Sequence, residues 1–272
     1  MKTICWLTMM TILLLAACGG SGGGATPTEA LASPTEAESA ATESSEGEAA
    51  DSPGAEEDLC ANRYYPVALG VSHTYTGTGG PEGAYSFTTT ITEVRPDDFT
   101  LTTEFEGLTL THQWSCTAEG LQPLEYGGGA SATLSTAGSE TQLTTSDVTG
   151  VLLPASISVG DTWGQTLEVA GTQTIPGVGA ADSTGTVTYT FEALGEESIS
   201  TPAGDFTALA IATSTTLDFQ IDIEGVSTPL LFESTGTTYY AEGIGLVGSK
   251  DHAEVFGIAT DTTIDLTAYS FP

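Results

Sequence analysis

The chain carries almost no positive charge. Four Lys and Arg stand against 36 Asp and Glu in 272 residues, a formal net charge of -32. Nucleic-acid binding needs clustered Lys and Arg opposite the phosphates, so it is excluded, and adsorption to anionic lipid head groups is opposed for the same reason. Histidine occurs three times and cysteine four, with neither a His-Glu-x-x-His nor a Cys-x-x-Cys spacing, so zinc and dithiol-redox motifs are missing. No Gly-Lys-Ser/Thr phosphate loop is present, and from residue 59 onward there is no Gly-x-Ser-x-Gly nucleophile elbow. Ser72 and His73 are neighbours, but on a strand they point to opposite faces, which is poor geometry for a dyad. No cofactor is expected. These absences leave no catalytic signature.

What is present begins with an export segment. Lys2 supplies a positive start and Ile4 to Leu15 a mostly apolar stretch, too short for a bilayer, which needs roughly 20 apolar residues. Residues 1–17 are therefore expected to be a signal peptide. The following Leu15-Ala16-Ala17-Cys18-Gly19 resembles the lipobox of bacterial lipoproteins. That resemblance implies a lipid thioether on Cys18, which becomes the mature N-terminus and ties the protein to a lipid bilayer. One acyl chain anchors marginally and two or more anchor stably, at about 0.8 kcal/mol per buried methylene. The expected location is extracytoplasmic, on the cell membrane or the outer membrane.

Residues 18–58 change composition abruptly. Gly-Gly-Ser-Gly-Gly-Gly leads into Ala, Ser, Thr, Pro and Glu, with ten acidic residues, no basic one, and Leu31 as the sole large aliphatic. Such a segment buries too little apolar surface to offset chain entropy, so a disordered acidic tether is expected. A neutral chain of about 40 residues would span roughly 35 Å, and self-repulsion lengthens it. The other 26 acidic residues lie from Leu59 onward, against Arg63, Arg95 and Lys250. The part expected to fold is therefore strongly anionic itself, which favours solubility at high ionic strength, repulsion from envelope polyanions, or cation association.

From Tyr64 onward the hydrophobic period is two. Leu108, Leu110, His112, Trp114 and Cys116 share one face; Val187, Tyr189 and Phe191 alternate with Thr; Leu217, Phe219, Ile221 and Ile223 face away from Asp218, Gln220, Asp222 and Glu224. Thr suits the exposed side of a pleated sheet. Gly79-Gly80-Pro81, Arg95-Pro96-Asp97-Asp98, Gly127-Gly128-Gly129, Gly177 and Pro202-Ala203-Gly204 punctuate the runs. The expectation is an all-β domain over 59–272. Within it, Cys60 and Cys116 form an even pair, read as one disulfide closing a loop of about 55 residues and stabilising by about 4 kcal/mol. The Tyr64–Tyr75 and Pro154–Trp163 segments look like copies of one element, in which a turn at Gly70 or Gly160 feeds a strand carrying an aromatic. Each could open one of two related halves.

Tyr64-Tyr65-Pro66, Ser72-His73-Thr74-Tyr75, Gly160-Asp161-Thr162-Trp163, Pro202-Ala203-Gly204-Asp205-Phe206 and Tyr240-Ala241-Glu242-Gly243-Ile244-Gly245-Leu246-Val247 occur in this order. The ordered set resembles a loose family of exported bacterial proteins of unknown function, many of them lipoproteins. His73 departs from the pattern, which has Trp there. The resemblance implies a single antiparallel, strongly curved sheet or open barrel, of the class that can cradle an apolar ligand.

Three functions follow as expectations. The first is a non-enzymatic binding module for an apolar or amphipathic ligand, lined by Tyr75, Trp114, Trp163 and Tyr240. The second is a structural or interaction domain facing an envelope protein, without a small-molecule ligand. A hydrolase is the remote third. Asp218, Asp222 and Glu224 form the best-ordered acidic row; residues two apart on a strand face lie about 6.6–6.8 Å apart, so a shared Ca²⁺ would need help from a neighbouring strand or loop. His112 is expected in the core or a groove, and His252, after Lys250-Asp251, in a solvated hairpin turn.

Overall fold

The computed structural model describes residues 58–272, apart from 81–82, 106–107, 127–131, 137–138, 176–178, 224 and 256–257. The signal segment, Cys18 and all of the tether but Asp58 lie outside the described residues, as do Glu224, the Gly127-Gly128-Gly129 break and Gly177.

Every regular element is a strand, in the order β1 (Ser72–Gly80), β2 (Gly83–Val94), β3 (Asp98–Phe105), β4 (Leu108–Thr117), β5 (Gly120–Pro123), β6 (Ala132–Thr136), β7 (Ser139–Gly150), β8 (Leu153–Pro154), β9 (Thr162–Ile175), β10 (Gly179–Thr201), β11 (Gly204–Ile223), β12 (Val226–Ala241), β13 (Gly245–Val255) and β14 (Ile258–Ser270). All pair antiparallel in one 14-stranded sheet, ordered β6-β7-β9-β10-β11-β12-β13-β14-β1-β2-β3-β4-β5-β8. An open twisted sheet rarely exceeds about 10 strands without curling, and this one curls without closing into a barrel. Phe99 of β3 and Trp114 of β4 share a buried cluster with Phe191 of β10 and with Leu209 and Ile211 of β11, although these strands are far apart in the sheet order. The chain from β7 to β8 crosses the opening. Gly150 is in register with Gln165 of β9, and Leu152 N–H then donates to the Leu121 carbonyl of β5 at 3.0 Å.

Alternation decides which side chains enter the core. Along β10, Val187, Phe191 and Ala193 are buried while Thr190 and Glu192 are exposed. One stretch of β11 breaks the pattern, with Ala208 to Ile211 buried on both faces. Leu209 and Ile211 join the Phe99–Trp114 cluster, whereas Ala208 and Ala210 join a second cluster with Tyr75, Tyr239, Val247 and Leu266. A third cluster holds Leu143, Leu167, Val169, Val187 and Phe219.

The two sequence copies have the same backbone wiring. Gly70 has φ +86° and Gly160 φ +89°, left-handed values that glycine adopts without strain. Val71 N–H donates to Ala68 O, and Asp161 N–H to Ser158 O. Gly70 N–H then bonds Ile91 O and Gly160 N–H bonds Ala193 O, with return bonds from Ile91 N–H to Val71 O and from Ala193 N–H to Asp161 O. A bulge follows each partner, between Ile91 and Glu93 and between Ala193 and Gly195. In this correspondence His73 stands where the second copy has Trp163.

Cys60 and Cys116 form a disulfide across 56 positions, joining the segment before β1 to the end of β4. His252 departs from expectation: it lies within β13, not in a turn, and is exposed there with Nδ1 2.7 Å from Asp261 Oδ1 of β14. Lys250, Asp251 and His252 pair in register with Thr263, Thr262 and Asp261 of β14.

Candidate functional site

The four aromatic candidates separate once their contacts are seen. Tyr75 is buried, its hydroxyl donating to the Leu246 carbonyl at 3.1 Å. Trp114 is buried and stacks on Phe99 at 5.3 Å and on Tyr65 at 5.4 Å. Tyr240 packs against the same cluster, and burial pushes its phenol up to about 12. These three line none of the open cavities described below. Trp163 does.

Trp163 is the second residue of β9. The turn before it is held by the Ser158 N–H donating to Asp161 Oδ2 at 2.7 Å. Its indole Nε1–H donates to Leu152 O at 3.0 Å, which fixes the ring against the crossing segment. Trp163 pairs in register with Phe191, Phe191 with Thr213, and Thr213 with Gly236. Directly paired residues share a sheet face, so these four form a row across β9 to β12. The Trp163 and Phe191 rings stack at 5.5 Å with a 23° tilt. Along this row lies a cavity of about 560 Å³, open to solvent, within the range of small-molecule sites.

A second open cavity of about 470 Å³ shares Thr235 and Gly236 with the first and continues to Lys250, Asp251 and Thr262. Gly236 pairs with Asp251, and Asp251 with Thr262, so the Trp163 row runs on to a carboxylate. A Cβ at Gly236 would overlap the Asp251 carboxylate; the missing side chain is the room that Asp251 uses. Asp251 Oδ2 accepts from Ser249 Oγ at 2.9 Å. Burial raises the Asp251 carboxyl above its ordinary value, partly countered by that hydrogen bond. A third cavity of about 560 Å³ lies between Cys60–Val71 and the C-terminal Phe271 and Pro272.

The two arginines are tied down away from this row. Arg63 pairs with Glu242 at 2.6 Å, and Arg95 with Glu93 at 2.6 Å and Asp98 at 2.8 Å. Lys250 projects from the face opposite Asp251, its Nζ 5.6 Å from the centre of the Tyr239 ring. Asp218 and Asp222 are exposed on β11, and Asp222 Oδ1 accepts the Gly225 N–H at 2.8 Å. Among the described residues no three His, Cys, Asp or Glu side chains are grouped to hold a metal ion, and no helix is long and apolar enough to cross a membrane. His73 is buried, its Nε2 2.7 Å from the Ile244 carbonyl. Burial lowers its pKa, as it does for half-buried His112. The partners of Trp163 that sequence reasoning missed are Gly236 and Asp251. A lone Gly in the Thr-rich run 233–238 was the available signal.

No protein-family model matches this chain, and no curated protein matches it. Two solved structures are similar to it. One, described as a lipoprotein from Parabacteroides distasonis, has TM-score 0.43 and 11% identity, covering 77% of this chain and 99% of the other. The second, described as an exported protein with a YmcC-like fold from Bacteroides fragilis, has TM-score 0.41 and 14% identity, covering 78% of this chain and 100% of the other.

Proposed function

We propose that this is an exported, lipid-anchored, non-enzymatic binding protein whose curled sheet takes an apolar or amphipathic ligand along the Trp163–Phe191 row. The observation that carries the reading is the open cavity of about 560 Å³ walled by the stacked Trp163 and Phe191 rings. An apolar body placed there would cover the partly exposed Trp163 side chain beside the already buried Phe191, at roughly 25 cal/mol per Å² of apolar surface covered. The anchor rests on Leu15-Ala16-Ala17-Cys18, directly after the apolar segment. The intramolecular disulfide fits an oxidising, extracytoplasmic location.

Native mass spectrometry of the full chain, released gently from membranes, tests the ligand. A bound apolar molecule that is lost in Trp163→Ala supports the reading. Protein that carries none, and takes up none when offered, overturns it. Cys18→Ser is expected to release the protein from membranes; unchanged membrane association would remove the anchor. A surface domain without a ligand is the second reading, and the packing of Tyr75, Trp114 and Tyr240 into the core favours it.

A further inference from the structure

The Trp163 row has an aromatic end and an acidic end, and the two basic side chains whose residues line the acidic end are engaged elsewhere, Lys250 over the Tyr239 ring and His252 against Asp261. Asp251 shares the sheet face of Phe191 and Trp163 through the pairs Asp251–Gly236, Gly236–Thr213 and Thr213–Phe191. Its carboxylate lies over Gly236, where the two cavities meet. Oδ2 is held by Ser249, and among the described residues Asp251 has no ion-pair partner. Lys250, next in the chain, points to the other face, over Tyr239. Tyr85 of β2 shares this sheet face through the pairs Tyr85–Gly77, Gly77–Ile264 and Ile264–Ser249: its ring fills the space over Gly77, and the Asp251 charge adds to burial in raising its phenol.

Resting on the binding-module reading above, we infer that the ligand is a cationic amphiphile, its apolar chain along Trp163 and Phe191 and its ammonium group on the Asp251 carboxylate. Four inter-strand steps separate β13 from β9, about 19 Å along the sheet at 4.7–4.9 Å per step, which is the reach of a single long alkyl chain. An ammonium group supplies the hydrogen-bonding cation that a half-buried carboxylate lacks, and the pair is charge-assisted. From Leu59 onward the protein has 26 acidic residues and 3 basic ones, a field that draws cations in and repels carboxylate or phosphate heads.

The test is calorimetric titration of the full chain carrying Cys18→Ser with three probes, n-dodecylammonium and dodecanoate below their micelle concentrations and 1-dodecanol below its solubility limit. The ammonium is expected to bind one to one, at least tenfold more tightly than the alcohol, with the carboxylate weakest. Asp251→Asn should cost the ammonium at least tenfold and leave the alcohol unchanged, while Asp147→Asn, which removes the same charge from an exposed site on β7, should cost it little. Ammonium affinity unchanged in Asp251→Asn, or lowered equally by Asp147→Asn, overturns the head-group assignment and leaves the binding reading standing if the alcohol binds. No binding of any probe overturns both. Asp251→Glu, which retains the charge, is expected to keep the ammonium preference, and its loss there in a variant with wild-type circular dichroism also counts against the assignment.

Discussion

His73 shows how one substitution in a repeated element becomes a pH-sensitive contact. Its counterpart Trp163 donates Nε1–H to Leu152 O, and His73 Nε2 meets Ile244 O in the same manner. A carbonyl only accepts, so the buried ring carries a proton on Nε2. Burial lowers the pKa of His73 in the fold, whereas an unfolded His titrates near ~6.5. The unfolded chain therefore takes up the proton first, and the His73 contribution, intact above that pH, is lost as pH falls toward the depressed folded value. Half-buried His112 acts in the same direction. Asp251 and Glu125, raised by burial, act oppositely at lower pH, because there the folded state binds the proton first. The urea midpoint is expected to drop between about pH 7.5 and about pH 5.5, and to drop less in His73→Gln. Equal drops in both proteins would remove His73 from this role. The family pattern, which has Trp at this position, implied an apolar face for His73; that its ring would find the Ile244 carbonyl, 171 positions away, was not legible there.

Individual strands and hairpins were the most legible level, because a period of two and a Gly or Pro break are local properties. The long β10–β11 hairpin turns at Pro202-Ala203-Gly204, as those residues imply, with Gly204 at φ +137°. Register carries a cost that local reading does not show. It sets Asp147 opposite Glu168, Asp182 opposite Asp222 and Glu233 opposite Glu254, and like charges directly opposed destabilise a sheet. Glu233→Lys should therefore raise stability by about 0.2–1 kcal/mol in chemical denaturation, and no gain would mean that the exposed pair is already screened. The Cys60–Cys116 bond acts at this scale too, since it ties the chain ahead of β1 to β4. Replacing both cysteines by Ser is expected to lower unfolding free energy by about 4 kcal/mol in the loop-entropy account, read from the denaturant midpoint against wild type. A loss well under about 1 kcal/mol would show that the unfolded loop is already constrained.

For the molecule as a whole, the charge imbalance predicts a stability that rises with salt. The Debye length falls from about 10 Å at 0.1 M to about 3 Å at 1 M, which weakens repulsion among the 26 acidic residues from Leu59 onward. The thermal midpoint should climb over that range of NaCl; a flat response would mean that the carboxylates are spaced beyond mutual reach. The all-β character followed from the sequence alone. Thr-faced alternation satisfies a half-buried strand and no helix, and the two Gly-led turns repeat a local geometry that backbone sterics impose on any chain. The lopsided charge and the pairing of the last two cysteines were likewise properties of composition and count. Which aromatic lines a cavity was settled only by the tertiary structure. Of Tyr75, Trp114, Trp163 and Tyr240, Trp114 and Tyr240 join the cluster formed where the curl of a 14-stranded sheet brings β3 and β4 onto β10 and β11, and Tyr75 is buried in the second cluster with side chains of β11 to β14. Asp251 meets Gly236, and through it the Trp163 row, only by register across five strands. Alternation assigns a side chain to a face, but the curl of the sheet decides what that face encloses.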